Sequence, residues 1–259
     1  MKNIYKLISL STIIIGWSLA ASGCEKNSSD ANGSGANGLT LLFETTLNFG
    51  EPSGVAFSKS MNKLWIVSGG DQHVYMVDTS GTIQKKLSFI GTDLEGITFD
   101  PIDSTLWVVD EATKMISHLS LDGTLLRQVH LSYATQTLNK GPEGITIGEN
   151  KSFCVINEKD PSIIVKMDRD FVILSIDTLN FALDYSDIWY VSADVFLIVS
   201  DESEAVFLWS KSKGIIKKYL LPNTKNEGIA LDERNNVIYV VNDANAKLYC
   251  YKLDTTIVH

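Results

Sequence analysis

The sequence predicts an all-β fold, a five-bladed β-propeller with four antiparallel strands in each blade. Three observations support this prediction. A short motif recurs five times, each copy is followed by the same succession of apolar strands and turns, and no window has a sustained helical period. The motif is an acidic residue or serine, then glycine, then a short apolar strand. The copies take up residues 39–259, which leaves no room for a second domain.

The five copies of the motif are evenly spaced along the chain. Aligned on Gly54, Gly96, Gly144, Asp187 and Gly228, they are separated by 42, 48, 43 and 41 residues. The 221 residues of 39–259 divide into five repeats of about 44, the length of a four-stranded propeller blade. The fourth copy has Asp187 in place of glycine, so the repeat does not predict the geometry of its loop.

The strands that follow each motif are predicted from their composition. The second strands are continuous apolar runs rich in β-branched and aromatic residues, as expected of strands buried on both faces, at 64–67, 106–109, 153–156, 196–199 and 238–241. The third strands are predicted at 74–77, 115–119, 163–167, 205–209 and 248–251. Turn signals such as Asp122-Gly123 then lead to fourth strands, for example 124–131 and 215–220. Trp65 and Trp107 occupy equivalent positions and are predicted to pack between blades.

The two ends of the propeller domain complement each other. The fifth repeat runs out after its third strand, whereas residues 39–48 precede the first motif and have the pattern of a fourth strand. We therefore expect the N-terminal strand to complete the last blade, which closes the ring and removes its open edges. An open solenoid is the competing architecture, but a solenoid needs capping repeats.

Residues 1–23 have the pattern of a secretory signal. Lys2 and Lys6 precede a mostly apolar stretch, 7–19, that is too short for a comfortable membrane span. The segment Leu-Ala-Ala-Ser-Gly-Cys at 19–24 resembles the lipobox of bacterial lipoproteins, which implies that Cys24 is lipidated and anchors the protein to a membrane. Ala21 stands where that motif prefers leucine. The alternative is an ordinary signal cleaved near Ala21.

Residues 24–38 follow as a predicted flexible linker, rich in Asn, Ser and Gly and without a hydrophobic pattern. Together these segments predict a protein of the bacterial cell envelope. Glu25 follows the cysteine, and by analogy with enteric bacteria the absence of Asp there favours the outer membrane over the inner membrane.

Composition excludes several classes of function. The formal net charge is −9, and without the first 23 residues 20 basic side chains face 31 acidic ones, a balance of −11. Such a surface repels nucleic acid and favours cations or basic partners. The four histidines have no zinc-ligand spacing, and no phosphate loop or Gly-x-Ser-x-Gly motif is present. Cys154 and Cys250 are predicted to be buried thiols, with a disulfide between them left open. We expect a monomer.

Five segments of the sequence resemble the SdiA-regulated protein family. They are Asp-Leu-Glu-Gly-Ile-Thr-Phe-Asp-Pro at 93–101, Thr-Leu-Trp-Val-Val-Asp-Glu at 105–111, Asn-Lys-Gly-Pro-Glu-Gly at 139–144, Val-Ile-Asn-Glu-Lys-Asp at 155–160 and Ile-Val-Ser-Asp-Glu-Ser at 198–203. The similarity spans roughly residues 40–253. It implies a membrane-associated or exported β-propeller and brings no established catalytic residues.

Acidic and amide side chains recur where the predicted blades meet one mouth of the channel. In an antiparallel blade the start of the first strand and the end of the second lie at the same edge. The loops entering the first strands carry the candidate ligand-binding residues Glu51, Asp93, Glu95, Glu143, Asp184 and Glu227. The loops leaving the second strands add Asp110, Asn157, Glu158, Asp201 and Asn242, together with the acids Asp71, Glu111, Asp160, Glu202 and Asp243.

Converging carboxylates disfavour each other's ionised forms unless a cation compensates, and hard oxygen ligands favour Ca²⁺ or Mg²⁺. We therefore predict a divalent cation, Ca²⁺ before Mg²⁺, held by Glu95, Glu143 and Glu227. Two alternatives stay open. The acids can accept backbone N–H bonds from the neighbouring blade, or they can bind a partner directly.

Two classes of function are compatible with this pattern. The first is a binding module that presents its acidic mouth to an envelope protein, glycan or small ligand. The second is a metal-dependent hydrolase of the lactonase or phosphoesterase type, in which Glu51, Asn157 and Asp201 would imitate the calcium ligands of gluconolactonase-type propellers; this is an analogy of fold. Near-identical loops favour binding, but the fourth copy breaks the symmetry and keeps catalysis open. No catalytic residue is predicted.

Overall fold

The computed structural model describes residues 38–133 and 140–254, which form five four-stranded antiparallel sheets. Strand β1 (Leu39–Thr46) precedes blade one, which contains β2 (Pro52–Phe57), β3 (Lys63–Ser68), β4 (His73–Asp78) and β5 (Ile83–Ile90). Blade two contains β6 (Leu94–Asp100), β7 (Thr105–Asp110), β8 (Met115–Leu119) and β9 (Leu125–His130). Blade three contains β10 (Pro142–Ile147), a short 3₁₀ helix (Glu149–Lys151), β11 (Phe153–Asn157), β12 (Ile163–Met167) and β13 (Ile173–Thr178).

Blades four and five complete the succession. Blade four contains β14 (Asp187–Ser192), β15 (Val195–Ser200), β16 (Ala205–Ser210) and β17 (Gly214–Leu220). Blade five contains β18 (Asn226–Asp232), β19 (Val237–Asn242) and β20 (Lys247–Leu253). Its fourth strand is β1, which pairs antiparallel with β20 from Leu39↔Leu253 to Thr46↔Lys247. The prediction that the N-terminal strand completes the last blade is confirmed.

The ring closes through its innermost strands. Strand β2 contacts β6, β6 contacts β10, β10 contacts β14, β14 contacts β18, and β18 returns to β2. The open solenoid is therefore excluded. Because the first strand of every blade faces the axis, the loops before the first strands and after the second strands meet at one end of the channel. We call this end the upper mouth and the opposite end the lower mouth.

The blades adhere through apolar clusters between neighbouring sheets, as the second-strand composition predicted. Trp65 is buried with Leu106 of the next blade, and Trp107 is buried with Phe153 of the blade after that. Removing such rings and aliphatic chains from water is the main stabilising contribution of the fold. Cys154 and Cys250 are free and buried in two different clusters. The prediction of buried thiols is confirmed.

The glycines of the repeated motif let the inner strands approach each other. A Cβ atom on Gly54 would lie 2.4 Å from the carbonyl oxygen of Glu95, and one on Gly96 would lie 2.2 Å from that of Glu143. A Cβ atom on Gly228 would be equally close to blade one, 2.3 Å from the oxygen of Ser53. The repeat therefore keeps glycine because each inner strand packs directly against the backbone of the next.

Residues 1–37 lie outside the described residues, and with them the predicted signal, Cys24 and all but the last residue of the predicted linker. The predictions for these segments stay predictions. Within 38–133 and 140–254, no helix is long and apolar enough to cross a membrane.

Candidate cation site at the upper mouth

The upper mouth opens into a cavity of about 270 Å³ whose lining is strongly acidic. Within the described part of the chain, ten carboxylates and a single lysine, Lys225, line it. The carboxylates are those of Glu51, Asp93, Glu95, Glu111, Glu143, Glu158, Asp184, Asp201, Glu227 and Asp243.

A bulge at the start of the inner strands aims the glutamates at the axis. The ladder between first and second strands shifts register between Leu94 and Ile97 in blade two and between Pro142 and Ile145 in blade three. Glu95 and Glu143 lie inside these irregular segments, each directly before the motif glycine. A bulge re-aims a side chain that a regular strand would direct into the neighbouring sheet. The repeat thus brings these glutamates to a common opening.

Three carboxylates converge more closely than the rest. Oxygen atoms of Glu111, Glu143 and Glu158 all lie within 4.8 Å of one another. Oxygens bound to one Ca²⁺ are each about 2.3–2.6 Å from the ion and hence at most about 5 Å apart, so this trio has the spacing of a calcium ligand set. The site would draw its ligands from blades two and three.

Glu111 provides a second, independent indication of a cation site, because one of its buried oxygens has no hydrogen-bond partner among the described residues. Its side chain is only 5% exposed, and within the described residues its Oε1 atom has no hydrogen-bond partner. The Lys114 Nζ atom lies 3.9 Å from this oxygen, and it is also buried without a hydrogen bond to any residue that the structure describes. A buried carboxylate oxygen without a hydrogen bond is costly, so a cation that coordinates it would stabilise the folded state.

Burial and mutual repulsion change the ionisation of the cluster. Burial, followed by the charges of Glu95 and Glu111, raises the pKa of Glu143 well above its usual range. Burial and the charges of Asp93 and Glu227 raise the pKa of Glu95. Burial and the charge of Asp201 raise the pKa of Glu227 to about 7. A cavity with these pKa values retains protons near neutral pH, and a divalent cation would displace them.

Eight of the eleven predicted ligand-binding residues line this cavity. They are Glu51, Asp93, Glu95, Glu143, Glu158, Asp184, Asp201 and Glu227. The three predicted metal ligands Glu95, Glu143 and Glu227 are among them, but the tightest cluster joins Glu143 to Glu111 and Glu158.

The other three predicted residues, Asp110, Asn157 and Asn242, do not line the cavity. Each ends the second strand of its blade and binds loop backbone. Asp110 accepts hydrogen bonds from the N–H groups of Thr92 at 2.7 Å and Thr113 at 3.0 Å. These bonds fix the loop that carries the cavity residues of the same blade.

The two asparagines act on their loops in the same way. The Asn157 amide donates to the carbonyl oxygens of Lys159 at 3.1 Å and Pro161 at 2.9 Å. The Asn242 amide donates to the carbonyl oxygen of Thr224 at 2.7 Å. Of the hydrolase-like set, Glu51 and Asp201 line the cavity, whereas Asn157 does not.

The sequence contained a signal for Glu111 that the predicted ligand set did not use. Asp110 and Asn157 end equivalent strands, so Glu111 and Glu158 are equivalent as well. The residues one position beyond the strand end all line the cavity: Gly69, Glu111, Glu158, Asp201 and Asp243. When the five repeats are aligned position by position, the residues directly after the second strands line the cavity. The last residues of those strands bind loop backbone instead.

Gly141 breaks the symmetry of the mouth beside the tightest cluster. It occupies the position that carries Glu51, Asp93, Asp184 and Lys225 in the other blades. A Cβ atom here would lie 2.3 Å from the Lys114 Nζ atom and 2.9 Å from Cγ of Glu111. The missing side chain makes room for Lys114 and Glu111, so the mouth is specialised between blades two and three.

The sequence model of the SdiA-regulated family matches residues 46–251, which include every residue of the cavity lining. The chain belongs to the SdiA-regulated family. A comparison with curated protein sequences finds no match. The family assignment therefore rests on the family model.

Solved structures with similar coordinates are propellers. A catalytically inactive virginiamycin B lyase variant from Staphylococcus aureus, solved with quinupristin, is 16% identical with a TM-score of 0.50, over 78% of this chain and 66% of that one. A streptogramin B lyase is also 16% identical, with a TM-score of 0.50 over 84% and 88%. The Cps50 (Swd1) propeller domain of Myceliophteria thermophila is 9% identical, with a TM-score of 0.53 over 83% and 99%. At these identities the similarity shows the fold alone.

Proposed function

We propose that this member of the SdiA-regulated family is a binding module of the cell envelope that holds Ca²⁺ in its upper mouth and presents it to an envelope ligand or protein. The observation that carries the proposal is the cluster of Glu111, Glu143 and Glu158, in which a buried carboxylate oxygen has no hydrogen bond from any described residue. The many surrounding carboxylates raise the local concentration of cations and discourage anionic competitors.

The ligand set also suggests how the ion would be used. Ca²⁺ takes six to eight oxygen ligands, and three glutamates supply three to six of them. Water or oxygen atoms of a partner would take the remaining positions at the open mouth. This favours an oxygen-rich ligand such as a glycan or a carboxylate-bearing protein loop. Mg²⁺ demands a tighter octahedral arrangement and is expected to bind more weakly.

Calorimetric titration of the metal-free protein with CaCl₂ and MgCl₂ tests the cation site. We expect one Ca²⁺ to bind with measurable heat, and Glu143→Gln to weaken that binding at least tenfold. Glu204→Gln is the matched control, because Glu204 is exposed at the upper face and does not line the cavity. No heat with either ion, or equal affinity in Glu143→Gln and the parent, would refute the cation site.

The envelope location is proposed from the sequence, with Cys24 as the lipid-bearing residue. Metabolic labelling with a fatty-acid probe in a bacterial host tests it. We expect the parent chain to incorporate label and to partition into the detergent phase of Triton X-114. The Cys24→Ser variant should lose both properties, whereas Cys154→Ser should keep them. Labelling that persists in Cys24→Ser would refute the anchor.

A further inference from the structure

The lower mouth contains a second cavity, whose lining is mainly apolar where that of the upper cavity is acidic. It has a volume of about 390 Å³ and lies where the first strands of blades one to four end. Its walls are mainly apolar and aromatic, with Phe57, Phe99, Ile147, Trp189 and Tyr190 among them, and no carboxylate belongs to its lining in the described part of the chain. Volume and lining fall within the range of small-molecule sites.

The fourth repeat shapes this cavity. Trp189 lies two residues beyond the motif position, where the other blades have Ala56, Thr98, Thr146 and Ala230. Its indole packs edge-on against Phe57, with ring centroids 6.2 Å apart. Ser186, directly before β14, lines the upper cavity, and Trp189 within β14 lines the lower one, while Asp187 lines neither. The two cavities are therefore separate sites on opposite ends of one channel.

Two lysines stand at the edge of the apolar cavity. Lys59 and Lys151 are exposed and belong to its lining. Within residues 38–133 and 140–254, neither ammonium group has a carboxylate within ion-pair distance. The acids that end nearby first strands are engaged elsewhere: Asp100 pairs with Arg169, and Asp232 accepts from Asn235 at 2.7 Å. Although the protein has a net charge of −9, the residues that line this cavity in the described part of the chain carry two positive charges and no carboxylate.

We propose that the lower mouth binds a small amphipathic carboxylate. Its apolar body, aromatic or short aliphatic, would lie against Trp189, Phe99 and Ile147, and its carboxylate would be held by Lys59 and Lys151. The apolar walls supply affinity by removing hydrophobic surface from water, and the lysines supply orientation and preference for an anion. This proposal does not depend on the cation site, because the two cavities share no lining residue.

Calorimetry on the full chain with 2-naphthoate tests the proposal, with the uncharged 2-naphthylmethanol as matched ligand control. We expect one naphthoate to bind with a dissociation constant below about 1 mM, the affinity typical of a ligand of this size in a preformed pocket. Naphthylmethanol should bind at least tenfold more weakly. Acetate, which has the charge without the apolar body, should show no saturable binding.

Lysine variants test whether naphthoate binds at the lower mouth. Lys59→Gln combined with Lys151→Gln should weaken naphthoate binding at least tenfold. Lys213→Gln combined with Lys218→Gln, two lysines of blade four outside the cavity, should leave it unchanged. Binding should also be unaffected by Ca²⁺ and by Glu143→Gln, which separates a failure here from a failure of the cation site.

Several results would overturn the proposal. They are the absence of saturable heat, equal affinity for naphthylmethanol, and equal affinity in the Lys59/Lys151 double variant. Loss of binding in Glu143→Gln would move the ligand to the upper mouth. A stable dimer in gel filtration, together with no binding of naphthoate, would indicate that a second copy of the chain covers the lower mouth.

Discussion

The carboxylate of Asp187 in blade four accepts a hydrogen bond from the backbone N–H of Ile229 in blade five, across 2.9 Å. Its other oxygen accepts from the N–H of Ile188 at 2.8 Å. An innermost strand has one edge without a ladder partner, so its N–H groups need acceptors from elsewhere. The one motif residue that departs from glycine thus supplies an acceptor that joins two blades.

We predict that Asp187→Ala lowers the free energy of unfolding by about 1–3 kcal/mol, because it leaves buried N–H groups without an acceptor. Asp187→Gly should lower the free energy of unfolding by at least as much, although it restores the glycine of the other four repeats. Urea denaturation followed by tryptophan fluorescence measures both changes. Asp170→Ala, at an exposed turn, is the control. A variant at position 187 as stable as that control would show that the bond to Ile229 contributes nothing.

The approach of neighbouring inner strands gives a second prediction. Gly96→Ala should destabilise the protein by about 3 kcal/mol or prevent folding, since the new Cβ atom would lie 2.2 Å from the Glu143 carbonyl oxygen. A backbone oxygen cannot rotate away as a side chain would. Gly50→Ala is the matched control, because a Cβ atom there meets no atom of residues 38–133 and 140–254 within 4 Å other than those of its chain neighbours.

Thermal unfolding of the two variants beside the parent tests this contrast. Gly50→Ala should unfold within a few degrees of the parent, and Gly96→Ala should unfold at a clearly lower temperature. Equal melting temperatures for the two variants would mean that the inner strands can move apart without loss of stability.

The periodicity of the sequence was sufficient to predict the propeller because each repeat carries the same physical requirements. Glycine at the close approach, an apolar second strand and a turn before the fourth strand recur in nearly every copy. Ring closure followed from the incomplete fifth repeat. These are backbone and packing constraints, and they act on every blade alike.

The site was predictable only in part, because neighbouring residues at a strand end have opposite environments. Asp110 and Glu111 are adjacent acids, yet Asp110 binds loop backbone and Glu111 lines the cavity. Both residues are acidic, so residue type does not distinguish them. Their positions relative to the end of the second strand do. The lower cavity has no repeated charge pattern that could have predicted it, and Trp189 stands at a position that is Ala or Thr in the other repeats.

The ionisation of the upper mouth predicts an unusual dependence of stability on pH. Burial and the charge of Asp201 raise the pKa of Glu227 to about 7, whereas in the unfolded chain it stays near 4.5. Below pH 4.5 both states are protonated. As the pH rises from 4.5 to 7, only the unfolded state ionises, so the folded state loses stability relative to it, by up to about 3 kcal/mol from this group.

Glu227→Gln should remove the loss of stability that this glutamate causes between pH 4.5 and 7. In the presence of EDTA the variant should be more stable than the parent at pH 8, and the difference should shrink as the pH falls from 7 to 5. Urea denaturation at pH 5, 6, 7 and 8 measures it, with the exposed Glu204→Gln as control. A stability difference that is the same at all four pH values would contradict the raised pKa.

The last prediction decides which glutamates would hold the cation. The repeat pattern favours Glu95, Glu143 and Glu227, each directly before the motif glycine of its blade. In the structure, however, carboxylate oxygens of Glu143, Glu111 and Glu158 lie within 4.8 Å of one another. Single Glu→Gln changes at the four positions other than Glu143 distinguish the two sets, because each change removes one anionic oxygen with little change of shape.

We expect Glu111→Gln and Glu158→Gln each to weaken Ca²⁺ binding at least tenfold, because a direct ligand is worth more than a nearby charge. Glu95→Gln and Glu227→Gln should weaken it only a few fold, since they act through long-range attraction, and that smaller effect should fade in 0.5 M salt. The reverse ranking would move the ion to the axis of the channel. Equal effects at all four positions that disappear in high salt would indicate a diffuse ion atmosphere, because only a coordinated ion depends on particular oxygen atoms.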